Sequence, residues 1–245
     1  MKYIDIPNTP NICSNRVLVS KRIGEESLSS LKSIGIEPVF AYNTDNVSTY
    51  ISHHADITIV HLGKNKFICS PDSYSYYKNV LTGADLICGS RNLDKTYPND
   101  VFYNITVLKD FIFAHSNQIE IIKMNDPMPQ KILNVNQGYT KCNICIVSDN
   151  AIITSDKSIY NEALKNGIDV LLIKSGEIEL EGYDYGFIGG ATGKASRDTL
   201  LINGELITHS DGDNIKAFCK NYGVYLYELK KGNIYDIGSI LPISG

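Results

Sequence analysis

The chain has 245 residues, 43% apolar and 20% charged, with a formal net charge of −4. That length can bury a substantial core, and the balance is that of an ordinary globular protein. Mild acidity leaves no electrostatic footprint for nucleic acid or an anionic membrane, and no apolar run reaches the ~18 residues of a membrane span.

The opening "MKYIDIPNTPNICSNR" has no apolar h-region, so the expected location is cytoplasmic and the six cysteines are expected to be reduced, mostly buried thiols. "NRVLVSK" then reads as an apolar strand with no evident partner. "EESLSSLKSIGIEPVFA" predicts a helix with Leu28, Leu31 and Ile34 on one stripe, a left-handed C-cap at Gly35 and a strand. "HADITIVHLGKNKFICS" predicts strand–turn–strand about Gly-Lys-Asn-Lys, and "SYYKNVLTGADLICG" is a looser helix–glycine–strand segment about Gly83. "DVFYNITVLKDFIFAHS" is a hairpin turning at Lys109-Asp110, and "KCNICIVSDNAIITSD" another turning at Asp149-Asn150. "YNEALKNGIDVLLI" repeats helix–glycine–strand at Gly167. "YDYGFIGGATGKASRDTLLING" is a fourth two-stranded unit, and "NIKAFCKNYGVYLYEL" repeats the helical segment at Gly223. "GNIYDIGSILPIS" opens a fifth hairpin whose second strand does not follow.

Two kinds of segment therefore alternate, which is the signature of a repeat architecture. The unpartnered strands near the two ends can complete one another, and a ring closed in that way exposes no sheet edge at its closure. The expected fold is α/β, a single domain over residues 1–245 with five hairpin-bearing units about a pseudo-fivefold axis. The alternative is an open three-layer α/β domain.

Two local motifs invite a cofactor and fail on spacing. "GFIGGATGKAS" is glycine-dense and ends in a lysine, but only three residues separate Gly189 from Gly193, and Ala195 stands where a P-loop needs a hydroxyl. Cys142 and Cys145 fit C-x-x-C, but a strand through "KCNICIV" would point them to opposite faces, and a zinc knuckle needs converging thiolates. No cofactor and no metal are expected.

Five such units in a ring resemble the pentein β/α-propellers, the superfamily of guanidino-group-modifying enzymes that includes arginine and agmatine deiminases, dimethylarginine hydrolases and amidinotransferases. The resemblance implies a central polar channel where a cysteine attacks the guanidinium carbon, a histidine moves protons and carboxylates hold the cation. "HHADITIVHLGKNKFICSP" is similar to the unit beginning H-x-D, which implies His54 as proton carrier beside Asp56. "QGYTKCNICIV" resembles the glycine-led motif of the nucleophile, which implies Cys142 as the thiol. "IELEGYDYGFIGG" resembles E-G-G-D, which implies carboxylate roles for Glu181 and Asp184, and the same alignment puts Lys194 where an arginine would bind a substrate carboxylate. The chain also departs from the family: Leu241 and Pro242 stand where the terminal nucleophile motif would fall, and no single rotation of the ring satisfies all three matches.

Asn104, Asp184 and Asp236 sit just inside unit starts, where a propeller lines its axis, and Lys141 adjoins Cys142; these are candidate ligand contacts. Each also has a plain structural reading, as a turn cap, a buried thiol or a solvated charge. Two functions follow: a Cys-dependent hydrolase or amidinotransferase acting on a small arginine-like molecule, or a propeller without catalysis that binds a small molecule or a protein.

Overall fold

In the computed structural model, which describes residues 2–124 and 129–245, the alternating segments form five three-stranded sheets. The chain enters through β1 (Arg16–Val19), α1 (Glu25–Ser33) and β2 (Glu37–Phe40), with β2 parallel to β1. A helical turn α2 (Ala55–Thr58) leads into β3 (Ile59–Gly63), β4 (Lys66–Cys69), α3 (Tyr74–Val80) and β5 (Asp85–Cys88). The third unit is β6 (Thr106–Val107), β7 (Phe111–Ala114), α4 (Ile119–Lys123) and β8 (Lys131–Asn134). The next opens with a second helical turn, α5 (Thr140–Asn143), then β9 (Cys145–Ser148), β10 (Ala151–Thr154), α6 (Lys157–Lys165) and β11 (Asp169–Leu172). It is followed by β12 (Thr192–Ser196), β13 (Thr199–Ile202), α7 (Gly212–Asn221), β14 (Tyr225–Glu228) and finally β15 (Leu241–Ser244).

Every sheet follows one rule. The first two strands pair antiparallel, a helix crosses over, and the third strand pairs parallel with the second. In the last sheet, β15 supplies the first strand and pairs antiparallel with β1, so the two ends of the chain close the ring. This is the pentein propeller.

Side-chain alternation explains how five sheets share a core. Successive residues of a strand point to opposite faces, and each middle strand divides its residues between two apolar clusters. On β10, Ile152 joins the cluster facing β7, whereas Ala151 and Ile153 join the one facing β13. On β1, Leu18 packs toward β4, and Val17 and Val19 toward β13. The core is thus five seams between neighbouring sheets. First strands such as β15 are wholly buried, while third strands such as β5 and β14 carry exposed residues at the rim.

The helix-ending glycines behave as read. Gly35, Gly83, Gly167 and Gly223 have φ between 66° and 81°, with open space where a Cβ would sit, so the backbone conformation and not crowding selects glycine. At Gly35 the N–H bonds to Lys32 O and the next N–H to Leu31 O, a Schellman ending. The third unit has no glycine between α4 and β8, and its helix and outer strand carry no such signal.

Candidate active site

The two helical turns α2 and α5 bring the chemistry-bearing side chains to the axis. The strand expected through "KCNICIV" begins only at Cys145; Thr140–Asn143 is helical. His54 likewise lies outside a strand, as the residue preceding α2. The cause is not local. Asn104, from the neighbouring unit, accepts from the Lys141 and Cys142 N–H groups through Oδ1 at 2.8 and 3.2 Å, serving as a cap for α5 from outside the segment.

The other end of the same amide holds the thiol. Asn104 Nδ2 donates to Cys142 Sγ at 3.0 Å and to the Asp56 carbonyl at 3.1 Å. Both donors and both lone pairs of Asn104 are therefore engaged within the protein, which corrects its expected role as a ligand contact: it positions Cys142. Cys142 Sγ in turn donates to Asp56 Oδ2 at 3.2 Å. Burial, then the carboxylates of Asp56 and Asp236, push the thiol well above its ordinary value.

Asp56 Oδ2 also accepts from Ser239 Oγ at 2.6 Å, and Ser239 Oγ accepts from Lys141 Nζ at 3.0 Å. Burial lowers the Lys141 ammonium from its ordinary value, with Asp56 opposing. Lys141 is thus held behind Ser239 and is not one of the residues lining the cavity described below, contrary to its expected ligand role.

Asp236 Oδ1 accepts from the Gly238 N–H and Oδ2 from the Phe187 N–H, both at 2.9 Å. Burial, then Asp56, raises its carboxyl to about 7. His54 Nδ1 lies 3.9 Å from Asp236 Oδ1, beyond hydrogen-bonding reach, and has no partner. Burial lowers the imidazole to about 4, with Asp56 opposing. The sequence reading paired Asp56 with His54; the structure pairs Asp56 with Cys142 and sets Asp236 nearest the His54 ring.

His54, Cys142 and Asp236 line one cavity of about 230 Å³, with Asp184 on its exposed side. The rest of its wall is Ile51, Ile57 and Leu180 with the rings of Tyr139, Tyr183, Tyr185 and Phe187. Tyr139 is anchored from behind, its hydroxyl donating to Asp100. Among the described residues no cluster of His, Cys, Asp and Glu has the form of a metal site.

Two expected residues lie elsewhere. Glu181 is exposed and faces Arg22 at 3.6 Å, a surface pair. Lys194 sits within β12, almost fully buried, and donates to the carbonyls of Val147 at 2.9 Å and Arg197 at 2.6 Å. It lines a separate polar cavity, and burial lowers its ammonium to about 8. Its place in the hairpin decides this, since Lys194 pairs with Leu200 across β12 and β13 and its side chain reaches Val147 of β9.

Ser239 is the residue sequence reasoning missed, and a positional signal existed. Asp56 and Cys142 stand three residues ahead of the first strands of their units, and Asn104 and Ser239 two ahead. In the unit that begins with β12 these places hold Gly189 and Gly190. A Cβ at Gly190 would lie 2.1 Å from Asp236 Oδ1, and one at Gly189 2.4 Å from the Lys141 and Ile144 carbonyl oxygens. Gly190 gives up a side chain so that Asp236 can enter the ring, and Gly189 does so for the backbone of α5.

A family model described as "Family of unknown function (DUF6873)" matches residues 18–241. The chain belongs to that family. No curated protein matches it. Among solved structures, this DUF6873 chain is similar to the inosamine-phosphate amidinotransferase from Streptomyces griseus, at 7% identity and a TM-score of 0.60, covering 98% of this chain and 97% of that one. It is similar also to an amidinotransferase of the saxitoxin biosynthetic pathway from Microseira wollei, at 10% identity and 0.58, covering 92% and 91%. A third is DDAH from Pseudomonas aeruginosa complexed with citrulline, at 7% identity and 0.53, covering 89% and 92%. At such identities the likeness carries the fold alone.

Proposed function

We propose that this DUF6873 protein is a cysteine-dependent enzyme acting on a small guanidino or amidino cation. The observation that carries the reading is the Cys142 thiol, hydrogen-bonded to both Asn104 and Asp56 and lining the same cavity as His54 and Asp236. The likeness to amidinotransferases and to a citrulline complex supports it through fold.

In this reading Asp236 receives the planar cation, as carboxylates do for groups rich in N–H donors. The arriving positive charge lowers the thiol's proton affinity. Asp56 Oδ2, 3.2 Å from Sγ, takes the proton, and the thiolate forms a bond to the central carbon. As the tetrahedral adduct collapses, the C–N bond breaks and the leaving nitrogen departs as a neutral amine or ammonia, carrying the proton that began on sulfur. The residue left on Cys142 is a thiouronium cation. His54, neutral at pH 7, then takes a proton from water or from an amine acceptor as that nucleophile attacks. The C–S bond breaks, and the departing sulfur takes a proton back from the His54 imidazolium, the extra proton of the water reaction passing to solvent. Water gives a urea; an amine gives a new guanidine.

A second reading, a binding propeller without chemistry, is favoured by the setting of the thiol, which is buried and bonded to the Asp56 carboxylate, both of which raise its hold on its proton. Incubation of the purified protein with simple guanidines separates the two. The enzyme reading expects release of ammonia or amine, a mass adduct on Cys142 trapped by acid quench, and loss of both in Cys142→Ala. Guanidine binding that survives in Cys142→Ala, with no turnover by the natural chain, overturns the enzyme in favour of the binder.

A further inference from the structure

We infer that the ligand of this cavity is a carboxylate-free cation with an apolar body, an alkylguanidine or a decarboxylated amino-acid guanidine, and not an α-amino acid such as arginine. The inference rests on the cation-binding reading above and narrows it.

Charge on the wall is one-sided. Asp236 and Asp184 contribute carboxyl groups, and among the described residues no lysine or arginine lines the cavity. The nearby cations do not enter the wall. Lys194 donates to two carbonyls and lines another cavity, Lys141 is bonded to Ser239, and Arg22, half-exposed outside the lining, faces Glu181 while its charge reaches His54.

Backbone donors near the thiol are engaged as well. The N–H groups of Phe187 and Gly238 point to Asp236, those of Lys141 and Cys142 to Asn104, and that of Gly190 to the Cys142 carbonyl. A carboxylate entering here would lose its hydration, meet no charged donor and face two acidic groups. The apolar side chains and rings of the wall suit the opposite kind of ligand: they accept methylenes, and aromatic faces attract a cation.

The test is calorimetric titration of the full chain with agmatine, butylguanidine and arginine at one pH and ionic strength. Agmatine and butylguanidine are expected to bind, with arginine weaker by on the order of tenfold or more, the penalty for an unpaired buried charge. Leu180→Arg, which would put a cation on the wall, is expected to close that gap by strengthening arginine and weakening agmatine. Arginine binding as tightly as agmatine to the natural chain overturns the inference, and so does failure of all three to bind at millimolar concentration. The comparison needs only the natural protein, so a poorly folding variant cannot obscure it. If the binding order holds without turnover, the enzyme reading falls and this one stands. If arginine is turned over at Cys142 better than agmatine, the enzyme reading stands and this one falls.

Discussion

The Cys142 thiol donates to Asp56 Oδ2 at 3.2 Å, across a sequence separation of 86 residues. The contact has two opposed effects: the carboxylate strengthens the sulfur's hold on its proton, yet it is also a hydrogen-bonded acceptor for that proton. Asp56→Asn should therefore speed alkylation of Cys142 by iodoacetamide near neutral pH while lowering any guanidine turnover, by ~10²–10⁴-fold as for other lost proton acceptors. Peptide mass spectrometry reads the first effect, with exposed Cys13 and Cys88 as internal references. Slower alkylation in the variant would contradict the assignment.

Asn104→Ala removes a cap, a donor to sulfur and a donor to the Asp56 carbonyl together. Two buried N–H groups of α5 lose their acceptor, each at about 1–3 kcal/mol. The expected outcome is a loss of several degrees in Tm. A Tm within one degree of the natural chain would show that α5 holds itself.

Ligand affinity should follow the ionisation of Asp236. Its carboxyl is raised from 3.8 to about 7 by burial and then by Asp56, so below pH 7 a cation must displace a proton. Affinity for a guanidine is expected to rise about tenfold per pH unit below pH 7 and to level off above it. The same shift acts on folding with the opposite sense. The unfolded carboxyl ionises first, so this group's contribution lowers stability as pH rises from about 4 to about 7. Titration calorimetry from pH 5.5 to 8.5 checks the first; a flat profile would remove Asp236 from the binding step.

His61 gives a pH effect remote from the cavity. It stacks on Phe67 with ring centroids 4.3 Å apart, donates from Nε2 to Lys64 O, and is lowered from 6.5 to about 4 by burial. Between those values the unfolded chain binds a proton that the folded chain refuses, so stability falls as pH drops from 6.5 toward 4, by about 1.4 kcal/mol per pH unit for one proton. Denaturation of His61→Phe across that window should show an acid slope smaller by about one proton than the natural chain.

Gly190→Ala places a Cβ 2.1 Å from Asp236 Oδ1. The expected result is expulsion of that carboxylate from its two backbone donors, loss of guanidine binding and a lower Tm. Retained binding would mean that Asp236 is not the cation's partner.

Much of the fold was legible because its signals are local. A glycine after a helix and a polar pair between apolar runs can each be read within a dozen residues, and they recur. The third unit's helix and outer strand escaped because "KMNDPMPQK" offers no glycine cap. The site was legible only in its residue types. That "TKCN" is helical depends on Asn104, far away in the sequence, and the partner of Asp56 is set by how two units meet at the axis. Lys194 stands where the family alignment puts a carboxylate-binding arginine, yet its strand carries it to two carbonyls and to another cavity. Ser239 passed unnoticed because a serine after a glycine, ahead of a short strand, is an ordinary turn until its neighbours are known.

Closure of the ring by β15 against β1 also ties the last seam to the axis. Asp236 and Ser239 lie in the segment that leads into β15, so the strand that shuts the last seam carries with it the final two polar groups of the axis. That segment supplies both the carboxylate nearest the imidazole and the hydroxyl between Lys141 and Asp56. The segment that completes the circle is thus also the one that completes the polar cluster of the axis.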